Sequence, residues 1–448
     1  MTEPVNRLAA SVNLLRSGDL HLQDYLDTLE KQFQEREPLV KAFLAEEDRF
    51  ARLRRDARVL LQRYPNPQER PVLFGIPVGV KDIFNVDGFE TRAGSKLPAF
   101  VFEGPEAECI TRLKNAGALI LGKTVSAEFA YLAPGITTNP HRPEHTPGGS
   151  SSGSAAAVGA GMCALTLGTQ TVGSINRPAA FCGVVGFKPS YERVSRAGVL
   201  PVSASLDHVG FFTSDAESAN LAASVMIPNW NSTTAQRRPV LAVPDGPYMK
   251  RVSPEGRQNF ELSCERLAAS GYKIVSLEVM HDFDEIFDRH QLIMAFEAAR
   301  VHSDWFGRYE PLYREQTRAL IHRGMTFSEQ DLRSAQAGRK KLRRELTATM
   351  VAAGVDLWIA PAATGTAPKG LESTGDAIMN LPWTHCGLPA LNLPSGIDET
   401  GLPFGLQLIG KWHEDEAMLV WATEIEKLTG FDASSLSGLT DRSEGKPI

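Results

Sequence analysis

Three short stretches of the chain hold side chains that could carry out acyl transfer if folding brought them together. Lys81 closes the apolar run "GIPVGVK". Ser150, Ser151 and Ser152 stand in "TPGGSSSGSAAAVGAGM", residues 146–162. Ser174 follows "LTLGTQT" in a turn of small residues. A serine hydroxyl is a poor nucleophile until a neighbouring base takes its proton. Lysine can be that base only as the neutral amine, so its ordinary pKa of about 10.4 must fall to roughly 7–8 by desolvation. Taken singly, each stretch has a plainer reading. A lysine at the end of a strand-like run reads first as a surface charge, and a Gly/Ser run reads first as a flexible linker.

The linker reading fails on the residues that continue the run. "SAAAVGAGMCALTLGTQTVGS" is apolar and built of small residues, which suits a tightly packed helix and strand rather than a solvated spacer. Two other patterns lie alongside. "HRPEH" (His141, Glu144, His145) fits the H-x-x-E-H arrangement of some zinc sites, which requires both histidines on one helical face. Pro143 inside it, with Pro140 and Pro147 on either side, opposes a helix, so a surface loop is expected. "GSSSG", Gly149 to Gly153, fits the G-x-S-x-G elbow of an α/β-hydrolase, but "NPHRPEHTPG" before it cannot be the buried strand that elbow needs. His208, the base that scheme would require, reads as a structural histidine.

Considered together, the stretches are far more specific. Residues 71 to about 215 resemble the amidase signature family of Ser–Ser–Lys hydrolases. The resemblance is carried by "GIPVGVKD", "GKTVSAEFA", "TPGGSSSGSAAAVGAG", "GTQTVGSINRPAAFCGVVGFKPS" and "SLDHVG". "CGLPALNLPSGIDETGLPFGLQLIG" is similar to the family's closing strands. The resemblance implies that Ser174 is the nucleophile, Ser150 a bridging serine after a cis Gly149–Ser150 peptide, and Lys81 the ultimate base. The backbone N–H groups of Thr171, Val172, Gly173 and Ser174 offer an oxyanion site, with Gly149, Ser151, Gln170 and Arg177 in support. The implied activity is amide or carbamate hydrolysis through an acyl-enzyme, needing no metal or cofactor. The alternative within the same fold is an amidotransferase subunit that feeds ammonia to a partner for tRNA-dependent amidation.

The chain departs from the family's usual "GTDTGGSIR": Gln170 replaces an acid, Val172 a glycine and Asn176 an arginine. Arg177 is placed to take over the missing charge, and Ser152 stands where a glycine is usual. The substrate pocket is expected along "AEFAYLAPGITT", residues 283–350 and "MNLPWTHCG", with Phe129, Tyr131, Ile136 and Trp383 as apolar wall residues.

The elements that must position these groups alternate between helix and strand. Residues 1 to about 65 repeat apolar positions at three- and four-residue spacing, as two or three amphipathic helices would. "PVLFGIPVGVKDIF", "ALILGKT", "RPVLAVPDG", "YKIVSLEV", "GVDLWIAPAAT" and "LPALNLPSG" read as strands, with helical and highly charged sequence over 283–350. This rhythm predicts an α/β fold, a mixed central β-sheet sandwiched between α-helices, formed by residues 1–448 as one domain. Apolar residues make up 42% and charged residues 22%, the balance of a globular protein. The net charge of −6 and the lack of a basic tract propose neither nucleic acid nor an anionic membrane as partner. Five scattered cysteines without a C-x-x-C pair read as free buried thiols. No signal peptide or membrane-spanning run is visible, so a cytoplasmic enzyme acting on a small molecule is expected, and a homodimer is compatible with it.

Overall fold

The periodic N-terminal sequence forms three helices, α1 (Leu8–Ser17), α2 (Leu22–Val40) and α3 (Arg49–Arg63). The structure, a computed structural model, describes residues 7–232, 234, 236–432 and 436, so both ends of the expected 1–448 unit lie outside it. Leu22, Leu26 and Leu29 of α2 sit on one face and are buried, as the spacing requires.

Ten strands follow in a single sheet. They are β1 (Pro77–Lys81), β2 (Leu119–Thr124), β3 (Leu165–Gln170), β4 (Val185–Lys188), β5 (His208–Thr213), β6 (Leu241–Asp245), β7 (Ile274–Glu278), β8 (Leu357–Pro361), β9 (Ala390–Ile397) and β10 (Pro403–Ile409). Their order is β2-β1-β3-β5-β4-β9-β10-β8-β6-β7. The sheet is mixed: β1 is parallel to β2 and β3, and β8-β6-β7 are parallel. Every step from β3 to β8 through the middle of the sheet is antiparallel. The first five strands and β8 are buried along their whole length. They therefore read as near-continuous apolar runs rather than alternating ones, because helices cover both faces. The strand-like "PVLFG" that precedes β1 is a turn.

The covering helices are α4 (Glu108–Asn115), α5 (Ser152–Gly159), α6 (Asn176–Cys182), α7 (Ala216–Met226), α8 (Pro254–Ala269), α9 (Phe283–Val301), α10 (Ser303–Tyr309), α11 (Glu315–Gly324), α12 (Glu329–Ala353), α13 (Leu381–Cys386) and α14 (Asp415–Glu426). A capping box between Ser328 and Asp331 starts α12. The last helix, α14, stops at Glu426, with Lys427 at its C-terminal cap.

The Gly/Ser run is rigid. Seven of its residues, Ser152 to Val158, form the buried start of α5. A Cβ on Gly153 would lie 2.1 Å from the Ala42 carbonyl oxygen, so only glycine lets the helix sit this close to the chain beside it. The serines stitch the run to its surroundings. Ser154 Oγ donates to the Leu167 carbonyl at 2.7 Å, Ser151 Oγ to that of Thr169 at 3.2 Å, and Ser152 Oγ to that of Val125 at 3.3 Å. Ser152, unusual against the family pattern, is thus a third tie.

The "HRPEH" segment is a loop, but not the surface loop expected. His141 is buried with Nε2 2.9 Å from the Cys182 carbonyl, and His145 Nδ1 lies 2.7 Å from that of Ala367. Proline kept the segment out of a helix, and the histidines then found backbone partners inside the fold. All five cysteines are free; four are buried and Cys264 is half-buried.

Candidate active site

Lys81 ends β1, Ser150 stands in the loop before α5, and Ser174 stands in the turn between β3 and α6. The pairing of β1 with β3 brings the first two elements side by side. Far from being a surface charge, Lys81 is fully buried. Its Nζ donates to Ser150 Oγ and to Thr169 Oγ1, each at 2.8 Å. Burial pushes its pKa down to about 7, against a smaller upward pull from the Asp207 carboxylate. Lys188 is an instructive contrast: it is as buried and its pKa also falls to about 7, yet Nζ donates to the Pro189 and Leu388 carbonyls. Position, not burial alone, separates the two lysines.

The Gly149–Ser150 peptide is cis. Arg177 is turned towards it rather than towards Gln170. Its fully buried guanidinium donates to the Gly149 and Gly375 carbonyls and to Thr374 Oγ1. Burial lowers its pKa to about 10, with Asp376 pulling it up.

Ser174 is on the wall of a cavity of about 320 Å³ shared with Thr171 and Val172. Its hydroxyl makes no hydrogen bond to another described residue. The N–H groups of Thr171, Val172, Gly173 and Ser174 are likewise unengaged among the described residues, so the turn offers free donors beside a free hydroxyl. A Cβ on Gly173 would fall 2.3 Å from Asn380 Oδ1, which fixes glycine there.

Beneath the turn, Gln170 does what a carboxylate could do and one thing it could not. Its Oε1 accepts from the N–H of Ile175 at 2.8 Å and of Asn176 at 3.0 Å, satisfying donors at the start of α6. Its Nε2 donates to Thr384 Oγ1 at 2.9 Å, and that hydroxyl donates to the Val172 carbonyl at 2.6 Å. Asn176 Nδ2 and Asn380 Nδ2 both donate to Gln407 Oε1. The acid and the arginine usual in this motif are therefore replaced together by a neutral amide network. Gln170→Glu puts an unpaired charge into that network, with an expected loss of about 3 kcal/mol or more of stability, measurable by denaturant unfolding. It also frees Thr384 from its donor, so kcat falls as well.

Of the residues expected to form the pocket, Tyr131 lines the cavity. The other three do not. Phe129 is buried, stacked on Tyr313 at a centroid distance of 5.1 Å and edge-on to His302. Trp383 is fully buried, with Nε1 donating to Tyr248 Oη. Ile136 is 66% exposed and is not a wall residue. Their apolar character was real, but two of them serve the core and one faces outward. The walls come instead from Leu132, Phe287, Met294, Ile378 and Leu381, within or beside the segments expected.

Sequence reasoning also missed four supporting residues. Thr169 holds Lys81, and Asp207 accepts from Thr171 Oγ1 at 2.6 Å and from the N–H groups of Val202 and Ser203. Both lie inside quoted motifs and could have been singled out. Thr384 and Asn380 lie in "MNLPWTHCG", where the apolar Trp383 was singled out instead of the polar residues on either side of it.

The chain matches the family model described as Amidase over residues 26–419. It belongs to the amidase signature family. A solved crystal structure of an amidase shares 32% identity, with a TM-score of 0.85 over 94% of this chain and 99% of that one. The chain is 31% identical to the A subunit of the glutamyl-tRNA(Gln) amidotransferase of Synechococcus sp. (strain WH7803), over 92% of this chain and 95% of that one. The structure of the Thermotoga maritima protein of that same name has 27% identity and a TM-score of 0.74, covering 92% of each chain. As in other members of this family, C–N bond hydrolysis is the chemistry to which the amidase fold is matched. No helix among the described residues is long and apolar enough to cross a membrane.

Proposed function

We propose that this amidase-family chain hydrolyses a small-molecule amide or carbamate through an acyl-enzyme on Ser174. The observation that carries the reading is the buried Lys81–Ser150 contact of 2.8 Å, joined to the cavity that holds the free Ser174 hydroxyl through Arg177, which lines that cavity and holds the Gly149 carbonyl of the cis peptide. Neutral Lys81 takes the proton of Ser150 as Ser150 takes that of Ser174, and Ser174 Oγ bonds to the scissile carbonyl carbon. The carbonyl oxygen gains the negative charge and is met by the free N–H groups of the 171–174 turn, each worth about 2.7–4 kcal/mol in comparable sites. On collapse the C–N bond breaks and the leaving nitrogen receives its proton back through Ser150. Water then repeats the sequence on the ester, returning Ser174. Esters carried by the same acyl group would pass through the same steps.

The amidotransferase reading is supported by the names of the curated relatives. Favouring hydrolysis by the isolated chain are the higher structural similarity to the amidase and the neutral network at Gln170, Asn176 and Thr384. A panel of p-nitroanilide, primary amide, carbamate and ester substrates on the isolated chain separates the two. Turnover of one of these without any partner is expected. An inert chain that gains glutaminase activity only on adding amidotransferase partner subunits would transfer the assignment to the second reading.

A further inference from the structure

The cavity that ends on Ser174 carries three charged side chains among its described walls, and two of them already answer each other. The Arg177 guanidinium is consumed by two carbonyls and Thr374, and Asp376 lies close enough to raise its pKa. Asp376 also accepts from the Ile378 N–H at 2.9 Å. Arg323 is the third. Among the described residues its guanidinium makes no hydrogen bond and no ion pair. It lies over the Phe327 ring, 5.8 Å from the centroid, a contact that leaves the N–H edges of the fork free.

Its place at the end of α11 does not account for this. A cation there is favoured by the helix dipole, but its neighbour His322 meets that description while turned to Glu310, at 2.9 Å and off the cavity wall. Arg323 instead shares the wall with two more unengaged polar groups. Tyr131 has no hydrogen-bond partner among the described residues for its hydroxyl, and it feels the positive charge of Arg323. The Gln291 amide, on α9, lines the same cavity and likewise has no hydrogen-bond partner among the described residues. The wall carrying them is fixed from behind. Buried Glu128 accepts from the Arg314 N–H and from Thr317 Oγ1, joining the start of α11 to the loop that carries Tyr131.

We infer that the substrate carries a carboxylate remote from the scissile carbonyl, and that Arg323 is the residue that selects it. This rests on the amidohydrolase reading above. Arg323 is an exposed residue of the cavity wall, so a neutral apolar substrate gains nothing from its unpaired guanidinium. A carboxylate is met by the planar fork, with the Tyr131 hydroxyl and the Gln291 amide as further donors. The substrate class is therefore the half-amide of a dicarboxylic acid or a comparable amide bearing an acid.

The test uses the full chain with glutaric acid mono-p-nitroanilide and its uncharged counterpart, pentanoyl p-nitroanilide. Wild type is expected to favour the first in kcat/KM by roughly 10–100-fold. Arg323→Gln should remove that preference mainly through KM on the charged anilide, and Arg323→Glu should reverse it towards 5-aminopentanoyl p-nitroanilide. Equal turnover of the two anilides by wild type, or an equal loss on both in Arg323→Gln, overturns the inference and leaves the amidohydrolase reading intact. Binding is read separately, as protection of Ser174 from a fluorophosphonate by glutaramate against pentanamide. If no anilide turns over, protection by glutaramate alone, lost in Arg323→Gln, sustains the carboxylate subsite while the hydrolase reading falls. Equal or absent protection then overturns the subsite.

Discussion

Ser174→Ala is expected to lower kcat by about 10⁴–10⁶-fold, with a residue of activity left from the backbone donors of the turn. The fold should survive the change. The Ser174 hydroxyl makes no hydrogen bond to another described residue, so alanine orphans no partner, and its melting temperature should match wild type within about 2 °C. The same residue should be the site of covalent modification by a fluorophosphonate, located by peptide mapping. Ser151 is the instructive competitor. It is fully buried, with Oγ committed to the Thr169 backbone, so an adduct there would contradict the assignment. An unlabelled protein would contradict it equally.

Lys81→Met should separate activity from stability, abolishing the first while making the second depend differently on pH. Loss of the base is expected to cost on the order of 10³–10⁵ in kcat, because both neighbouring serines then keep their protons. In wild type, Lys81 has a folded pKa of about 7 against an ordinary value of 10.5. Between those limits the unfolded chain holds the proton and the folded one does not, so this residue makes stability rise with pH from about 7 towards 10.5. Below 7 its burden on the fold is full, since both states are then charged and only the folded one has buried the charge. Methionine has a similar length and no charge to desolvate. It also leaves the buried Ser150 and Thr169 hydroxyls without their Nζ partner, a cost present at every pH, so the stability of the variant relative to wild type should be highest at neutral and lower pH and should fall as pH rises towards about 10. Wild-type activity should rise through pH 7 as the amine becomes neutral. A Lys81→Met protein whose stability relative to wild type does not fall between about pH 7 and 10, or that retains turnover, would contradict the role given to the buried amine.

The sequence made much of this arrangement legible, and the reasons are physical. Strands buried on both faces leave continuous apolar runs, so β1, β2 and β3 could be read directly. A helix that must pack against backbone leaves a run of small residues, so α5 could be told from a linker. The three reactive side chains lie in long motifs, and their order along the chain was visible. Side-chain orientation was not. Phe129 and Trp383 are apolar residues in the right neighbourhood, but composition does not say whether a ring fills the core or a cavity. Gln170 could be seen as a departure, whereas its purpose could not. That purpose depends on Thr384, more than two hundred residues later, and on the direction in which a single hydroxyl points. Arg177 was expected to repair a missing charge and is instead spent on two carbonyls and Thr374.

The network under the nucleophile turn has a consequence for how the enzyme is made. Lys81, Ser150 and Ser174 all belong to the first half of the chain, but Asn380, Thr384 and Gln407, which hold the turn from below, belong to its last fifth. On a ribosome the reactive groups emerge long before the residues that aim them. Until β10 pairs with β9 and brings Gln407 into place, the Asn176 and Asn380 amides have no common acceptor and the turn has no floor. On the assignment proposed above, the nascent protein would hold Ser174, Ser150 and Lys81 before the residues that support them, and competence is expected only near the end of synthesis. A long separation between chemistry and support slows folding by raising contact order. On the same assignment, a half-made chain is expected to be silent.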